Sequence, residues 1–345
     1  MSRAHLVLAI SACLACAAPP RVAPPPTPPA APPLATIPLV EDDRTRLAET
    51  FRLGAAIGNE IWTGWTSAPF AVLLVTADRE YLFRHPRPSA DFRRIGYDSL
   101  LGSDVFMRAR TYAPTFLATF PAVGGVPTIV VGQPAATRKS STDWVVTLLH
   151  EHFHQLQTSR PGYFTGVDAL GLSHGDQTGM WMLNYLFPYD SVLVASRFAE
   201  LSTALDSALS ENAPERRPMR WRIVLNARTR LKAVLTPADD RYLAFQMWQE
   251  GVARYTELQV ARWAGTRYSP SERFRALADF TSYAATATAI EGGIRLELRT
   301  SALPRQKRVA FYPMGAAMAL MLDREAPGWR ARYFDRGYSL DALMR

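Results

Sequence analysis

Residues 142–157, TDWVVTLLHEHFHQLQ, gather three of the chain's six histidines around one glutamate. His150 and His154 stand four positions apart, one helical turn, so both imidazoles can face one point from the same side of a helix. Two imidazole nitrogens suit zinc, and a catalytic zinc site keeps one position open for water. Glu151, beside the first ligand, is then placed to take a proton from that water. The H-E-x-x-H pattern therefore predicts one Zn2+ bound by His150 and His154, with Glu151 as general base. His152 is rotated about 200° from His150 and is expected to pack away from the ion. A third protein ligand is needed, most often a carboxylate from a second helix.

The helix that carries these residues is well punctuated. Ser141 or Thr142 can cap it, Asp143 suits its first turn, and Arg160-Pro161-Gly162 lies beyond its end. Ahead of it, strands are expected at 70–76 and 80–83 around a turn at 77–79, and at 105–110, 115–120 and 126–131. A helix is expected before them at 45–58. Behind the motif comes a glycine-rich loop whose His174 and Asp176 can approach the site as supports for the ligands. Helices are expected at about 179–186, 191–210, 217–235, 236–264 and 271–291. The start at 236 is strongly marked, with Thr236 as cap, Pro237 at the first helical position and two acids after it. Tyr312 precedes Pro313 at the N-terminal lip of a last helix, where a phenol can donate to an oxyanion. The fold class predicted is α+β, a small mixed or antiparallel sheet followed by a mostly helical lobe.

With 345 residues and 48% hydrophobic content, the chain can bury a large core. Its net charge of +8 comes almost wholly from scattered arginines, with lysine only at 139, 232 and 307. No basic stripe is present, so nucleic acid is not an expected partner. The only cysteines, Cys13 and Cys16, lie in a leader, so the body has no disulfide and no thiolate metal site. Residues 1–18 read as an export signal, with Arg3 ahead of a short apolar run. Ile10-Ser11-Ala12-Cys13 resembles a bacterial lipobox, and the Ala15-Cys16-Ala17 region would instead suit ordinary signal cleavage. Residues 19–40 form a proline-rich tether. The catalytic domain is expected at 41–345, β-rich over about 41–135 and helical over about 141–345. This organisation predicts an exported bacterial protein whose only membrane contact is a lipid anchor, at the outer membrane or cell surface, or else a periplasmic or secreted form.

Gln249-Glu250-Gly251-Val252-Ala253-Arg254-Tyr255, with H-E-x-x-H upstream and Tyr312-Pro313-Met314-Gly315 downstream, resembles the gluzincin metallopeptidases, the group of thermolysin and aminopeptidase N. That family carries its zinc-binding glutamate on a later helix, opening N-E-G-F-A in the aminopeptidase branch. The same branch has a Y-x-K-G segment whose tyrosine stabilises the tetrahedral intermediate. The resemblance covers about residues 70–325. It implies a zincin-like lobe, Glu250 as third zinc ligand, Tyr312 as oxyanion donor, and a peptide or protein substrate. Three departures qualify it. His154 and Glu250 are 96 positions apart (154 to 250), far more than in the aminopeptidases, which implies a helical insertion folded away from the site. Met314 replaces the lysine. The G-x-M-E-N segment that holds a free amine is missing, and 123–128, where an edge strand could bind substrate, has no acid; aminopeptidase specificity is not expected. Glu257, two turns past Glu250, is a rival third ligand or else a supporting acid. Gln157 can brace His154, and Tyr255 is expected in the core or behind the ligands. Gly251 within a helix costs about 1 kcal/mol relative to alanine, which points to close approach by another backbone or by the metal site. Two other readings use the same residues: a metal-binding or inactive substrate-capturing lipoprotein, and a zinc hydrolase of a non-peptide amide or ester.

Overall fold

Val72–Val75, four consecutive apolar residues, form strand β1 and are buried on both sides. In the computed structural model, which describes residues 37–176, 178–335 and 337–344, β1 lies inside a six-stranded sheet. The other strands are β2 (Arg79–Phe83), β3 (Arg93–Asp98), β4 (Ser103–Ala109), β5 (Leu117–Val123) and β6 (Val126–Gly132). Their order is β3-β4-β2-β1-β6-β5. Only β1 and β6 run parallel; every other pairing is antiparallel. The sheet is therefore mixed, with β5 at one edge. Alternate residues serve two cores: Val72, Leu74, Ile129 and Val131 face the helices, while Leu73, Val75, Leu82 and Val130 join Phe92 and Val123 on the other face.

The helices that matter here are α1 (Glu41–Ile57), α2 (Ser141–Ser159), α3 (Val192–Ser210), α4 (Arg217–Lys232), α5 (Pro237–Gln246), α6 (Val252–Arg267), α7 (Tyr283–Thr300) and α8 (Phe311–Glu325). Helix α2 packs on β5 and β6, and against α1 and α6. Trp144, Leu148, Leu149 and Phe153 are fully buried, each contributing about 1.5–3 kcal/mol of apolar transfer. Polar pins fix its register on the sheet. Trp144 Nε1 donates to the Gly132 carbonyl at 2.8 Å, and Gln155 Nε2 donates to Ala71 and Pro127 carbonyls, both at 2.9 Å. The inserted pair α3–α4 packs on α7 and α8 through α3.

Several expectations need correction. A sixth strand, β3, was not anticipated, and α1 starts at Glu41 rather than 45. The N-cap of α2 is Ser140, whose side chain accepts from Asp143 N; Ser141 instead binds Asp279. No helix spans 271–291. A short turn at Glu272–Arg275 is followed by α7, which runs straight through Gly292-Gly293. Over 179–186, only Trp181–Asn184 is helical. The leader with Cys13 and Cys16 and most of the tether lie outside the described residues, but the tether's end is docked, with Leu39 buried and Tyr81 Oη donating to the Pro38 carbonyl at 2.7 Å. Among the described residues, no helix is long and apolar enough to cross a membrane.

Candidate metal centre

One face of α2 presents His150 and His154, whose ring centroids lie 5.1 Å apart. Glu250, from the π-turn between α5 and α6, meets them. One ligand atom from each of these three residues lies within 4.8 Å of the others. His154 Nε2 and Glu250 Oε2 are 3.5 Å apart. A tetrahedral zinc with bonds of about 2.1 Å needs ligand atoms roughly 3.4 Å apart, so this pair has the spacing the ion requires. The imidazole–imidazole–carboxylate set is also the right chemistry for it.

Each histidine is held from behind. His154 Nδ1 donates to Gln157 Oε1 at 2.7 Å, which fixes the ring so that Nε2 faces Glu250. Gln157 is held in turn, its Nε2 donating to Tyr333 Oη at 2.8 Å and to the Gln249 carbonyl at 3.2 Å. His150 Nδ1 is buried 3.5 Å from Glu257 Oε2, an electrostatic contact longer than a hydrogen bond. Glu257 also accepts from Arg254 Nη1 at 2.8 Å. It therefore sits behind His150 rather than in the ligand triangle, and the rival-ligand reading gives way to the supporting one.

Charge in the site is strongly coupled. Burial opposes a charge on His154, but Glu250, aided by Glu151, raises its pKa to about 9. Burial would raise Glu250, yet His154, His150 and Arg308 outweigh it and hold the carboxyl down to about 2. Glu257 is likewise buried and is held well below the usual carboxylate range by Arg254 and His150.

Glu151 is buried at the foot of β5. Thr119 Oγ1, on that edge strand, donates to Glu151 Oε2 at 2.7 Å. This leaves Oε1 with no hydrogen bond from a described residue. Tyr312 lies in the first turn of α8. Its phenol accepts from Arg308 Nη1 at 2.6 Å. Burial first, then the nearby Glu250 carboxylate, raises its pKa well above the ordinary phenol value, so it keeps its proton.

Glu250 and Tyr312 owe their positions to a pair of glycines. Residues Met247–Gly251 form a π-turn between α5 and α6, so the expected single helix from 236 to 264 is interrupted where Glu250 projects. A Cβ on Gly251 would sit 2.4 Å from Gly315 Cα, and one on Gly315 would sit 2.4 Å from the Met247 carbonyl oxygen. The glycines of the Glu250 and Tyr312 motifs thus let α8 cross directly over the π-turn. Met314, in the lysine position of the resemblance, is fully buried.

The remaining candidates fall outside the ligand group. The His152 ring stacks on Phe70 at 3.7 Å and 2°, donates through Nδ1 to Gln155 Oε1, and is held down to about 4 by burial. It packs, as its rotation predicts. Asp176 accepts from Thr178 and from Trp181 N, closing a local turn, and His174 lines a separate depression with Trp181 and Tyr185. Neither joins the ligands. Tyr255 is core, with its hydroxyl on Asp323. Residues 123–128 are not an edge strand: Gly124-Gly125 turns the β5–β6 hairpin, and the free edge is β5 itself. Thr119 and Arg308 were missed by sequence reasoning. Arg308 had one visible signal, its place one turn ahead of Tyr312. Thr119 had none, because its role depends on sheet order.

No protein-family model, curated protein or solved structure matches this chain.

Proposed function

We propose that the protein is a zinc-dependent metallopeptidase of the gluzincin type, with His150, His154 and Glu250 as the zinc ligands. The observation that carries this reading is the convergence of those three side chains beside Glu151 and an unpaired strand edge. When bound, zinc would supply a Lewis acid and a water of lowered pKa. Glu151 Oε1 takes a proton from the attacking water, whose oxygen bonds to the peptide carbonyl carbon, and passes that proton to the departing amine as the C–N bond breaks. Thr119 holds the other carboxylate oxygen, so the basic atom is aimed. The Tyr312 phenol stays protonated and donates to the carbonyl oxygen as it gains negative charge. The free edge of β5 favours a peptide over a compact amide or ester, because an extended chain can pair with it while crossing Glu151. On the same reading, Cys13 anchors the domain by lipid and the tether holds it off the membrane.

A peptide-library digest with the zinc-loaded protein, with and without chelator, tests the activity. Glu151→Gln should retain zinc and lower kcat by about 10²–10⁴. Cleavage at an unchanged rate by that variant would remove Glu151 as the base, and chelator-insensitive cleavage would remove the metal.

A further inference from the structure

Several arginines packed into this protein have carboxylate or carbonyl partners. Arg228 Nη2 pairs with Asp240 and Asp341, both at 2.7 Å. Arg254 pairs with Glu257, and Arg108 with Glu80 and Asp91. Where a carboxylate is lacking, carbonyls serve: Arg84 donates to Leu101 O at 2.9 Å and Arg324 to Leu209 O at 3.3 Å. Arg308 has neither. It is half-buried, and its one hydrogen bond to a described residue goes to Tyr312 Oη. No Arg308 nitrogen is both buried and without a partner, so its remaining donors reach solvent beside Tyr312 and are open to an incoming acceptor. The acid closest in effect, Glu250, already faces His154. The guanidinium also lies over the Tyr312 ring, 5.7 Å from its centroid, which holds it on the side of the site where Tyr312 stands.

We propose that Arg308 is a specificity-determining residue that binds a carboxylate of the substrate on the Tyr312 side of the ligand triangle. The carboxylate belongs to a chain terminus or to an acidic side chain near the scissile bond. The inference rests on the metal-centre reading above and deepens it by naming the substrate class. A guanidinium fork is suited to this task, since it meets a carboxylate with two parallel hydrogen bonds. It also accounts for the absent amine-binding acid, because recognition shifts from the amino end of the peptide to a negative group.

Two hydroxamates test it on the zinc-loaded protein: succinic monohydroxamic acid, and the same molecule with its carboxylate converted to an amide. The acid-tailed probe should bind about tenfold more tightly than the amide-tailed one, the scale of a charge-assisted hydrogen bond. Arg308→Gln should abolish that preference while the amide-tailed probe still binds, which also reports that the variant is folded. Equal affinities on the unaltered protein overturn the proposal, as does a preference that survives in Arg308→Gln. Failure of both probes to bind overturns the metal reading, and the proposal with it. Peptides then separate the sources. A loss of cleavage on C-terminal amidation points to the terminus and a loss on Glu-to-Gln exchange in the peptide points to a side chain; neither loss overturns the proposal.

Discussion

Zinc uptake should release a proton at a pH where an ordinary histidine has none to give. Burial disfavours charge on His154, but the facing Glu250 raises its pKa to about 9, and Glu250 stays ionised because its own value is held to about 2. An unperturbed histidine, with a pKa of about 6.5, is about 97% neutral at pH 8. His154 is instead about 90% protonated there in the metal-free protein. A zinc-ligating imidazole must be neutral, so binding displaces about 0.9 proton at pH 8. Apparent affinity then rises with pH from about 7 to about 9, by up to about tenfold per unit while the pH stays well below the His154 value. Because the folded-state pKa lies above the ordinary one, the pair stabilises the metal-free fold fully below about pH 6.5, and that contribution fades as pH rises through about 9. Titration calorimetry at pH 8 in two buffers of different ionisation enthalpy reads the proton count directly. A count indistinguishable from zero, with affinity flat from pH 7 to 9, would show that His154 is already neutral and that the Glu250 contact does not charge it.

Two further predictions concern the supports of the site. Gln157→Leu removes the acceptor of the His154 Nδ1 proton and should weaken zinc binding about 10–100-fold in a chelator competition, with unchanged affinity counting against the bracing role. Gly251→Ala gains about 1 kcal/mol of helix propensity, but its Cβ would lie 2.4 Å from Gly315 Cα, where only backbone can give way. The expected net loss is about 1–3 kcal/mol in urea unfolding, and a neutral or stabilising result would refute the close helix crossing.

Much of the frame was legible because it rests on local signals. The α2 motif, the Thr236-Pro237 start and the 191–210 helix each combine periodicity with caps, and they appear close to where those signals place them. Strand β3 was hidden because RRIGYD is polar and largely exposed, with a register shift at Arg94/Gly96 that breaks its alternation. Helix α7 crosses two glycines because Ile290, Ile294 and Leu298 bury its inner face, and that packing outweighs the local cost. The grouping of His150, His154 and Glu250, which could hold a metal ion, was readable from motif order. Its supports were only partly so: Gln157 lies one turn from His154, but Thr119 reaches Glu151 from a strand whose edge position no local pattern announces.

The π-turn at Met247–Gly251 also sets a phase. It places one extra residue in a helix without adding a turn, so the stretches on either side keep separate registers. Deleting one residue there would close the ladder as unbroken α-helix while the stretches on either side keep their faces, so the change falls on the π-turn itself. Tyr255, Leu258 and Ala261 would stay in the core and Glu257 behind His150, whereas Glu250, inside the π-turn, would be turned away from His154. Keeping Glu250 on His154 and Glu257 behind His150 at once requires the extra residue. Length variation in related chains should therefore be free in the loop after α2 and forbidden across these five positions.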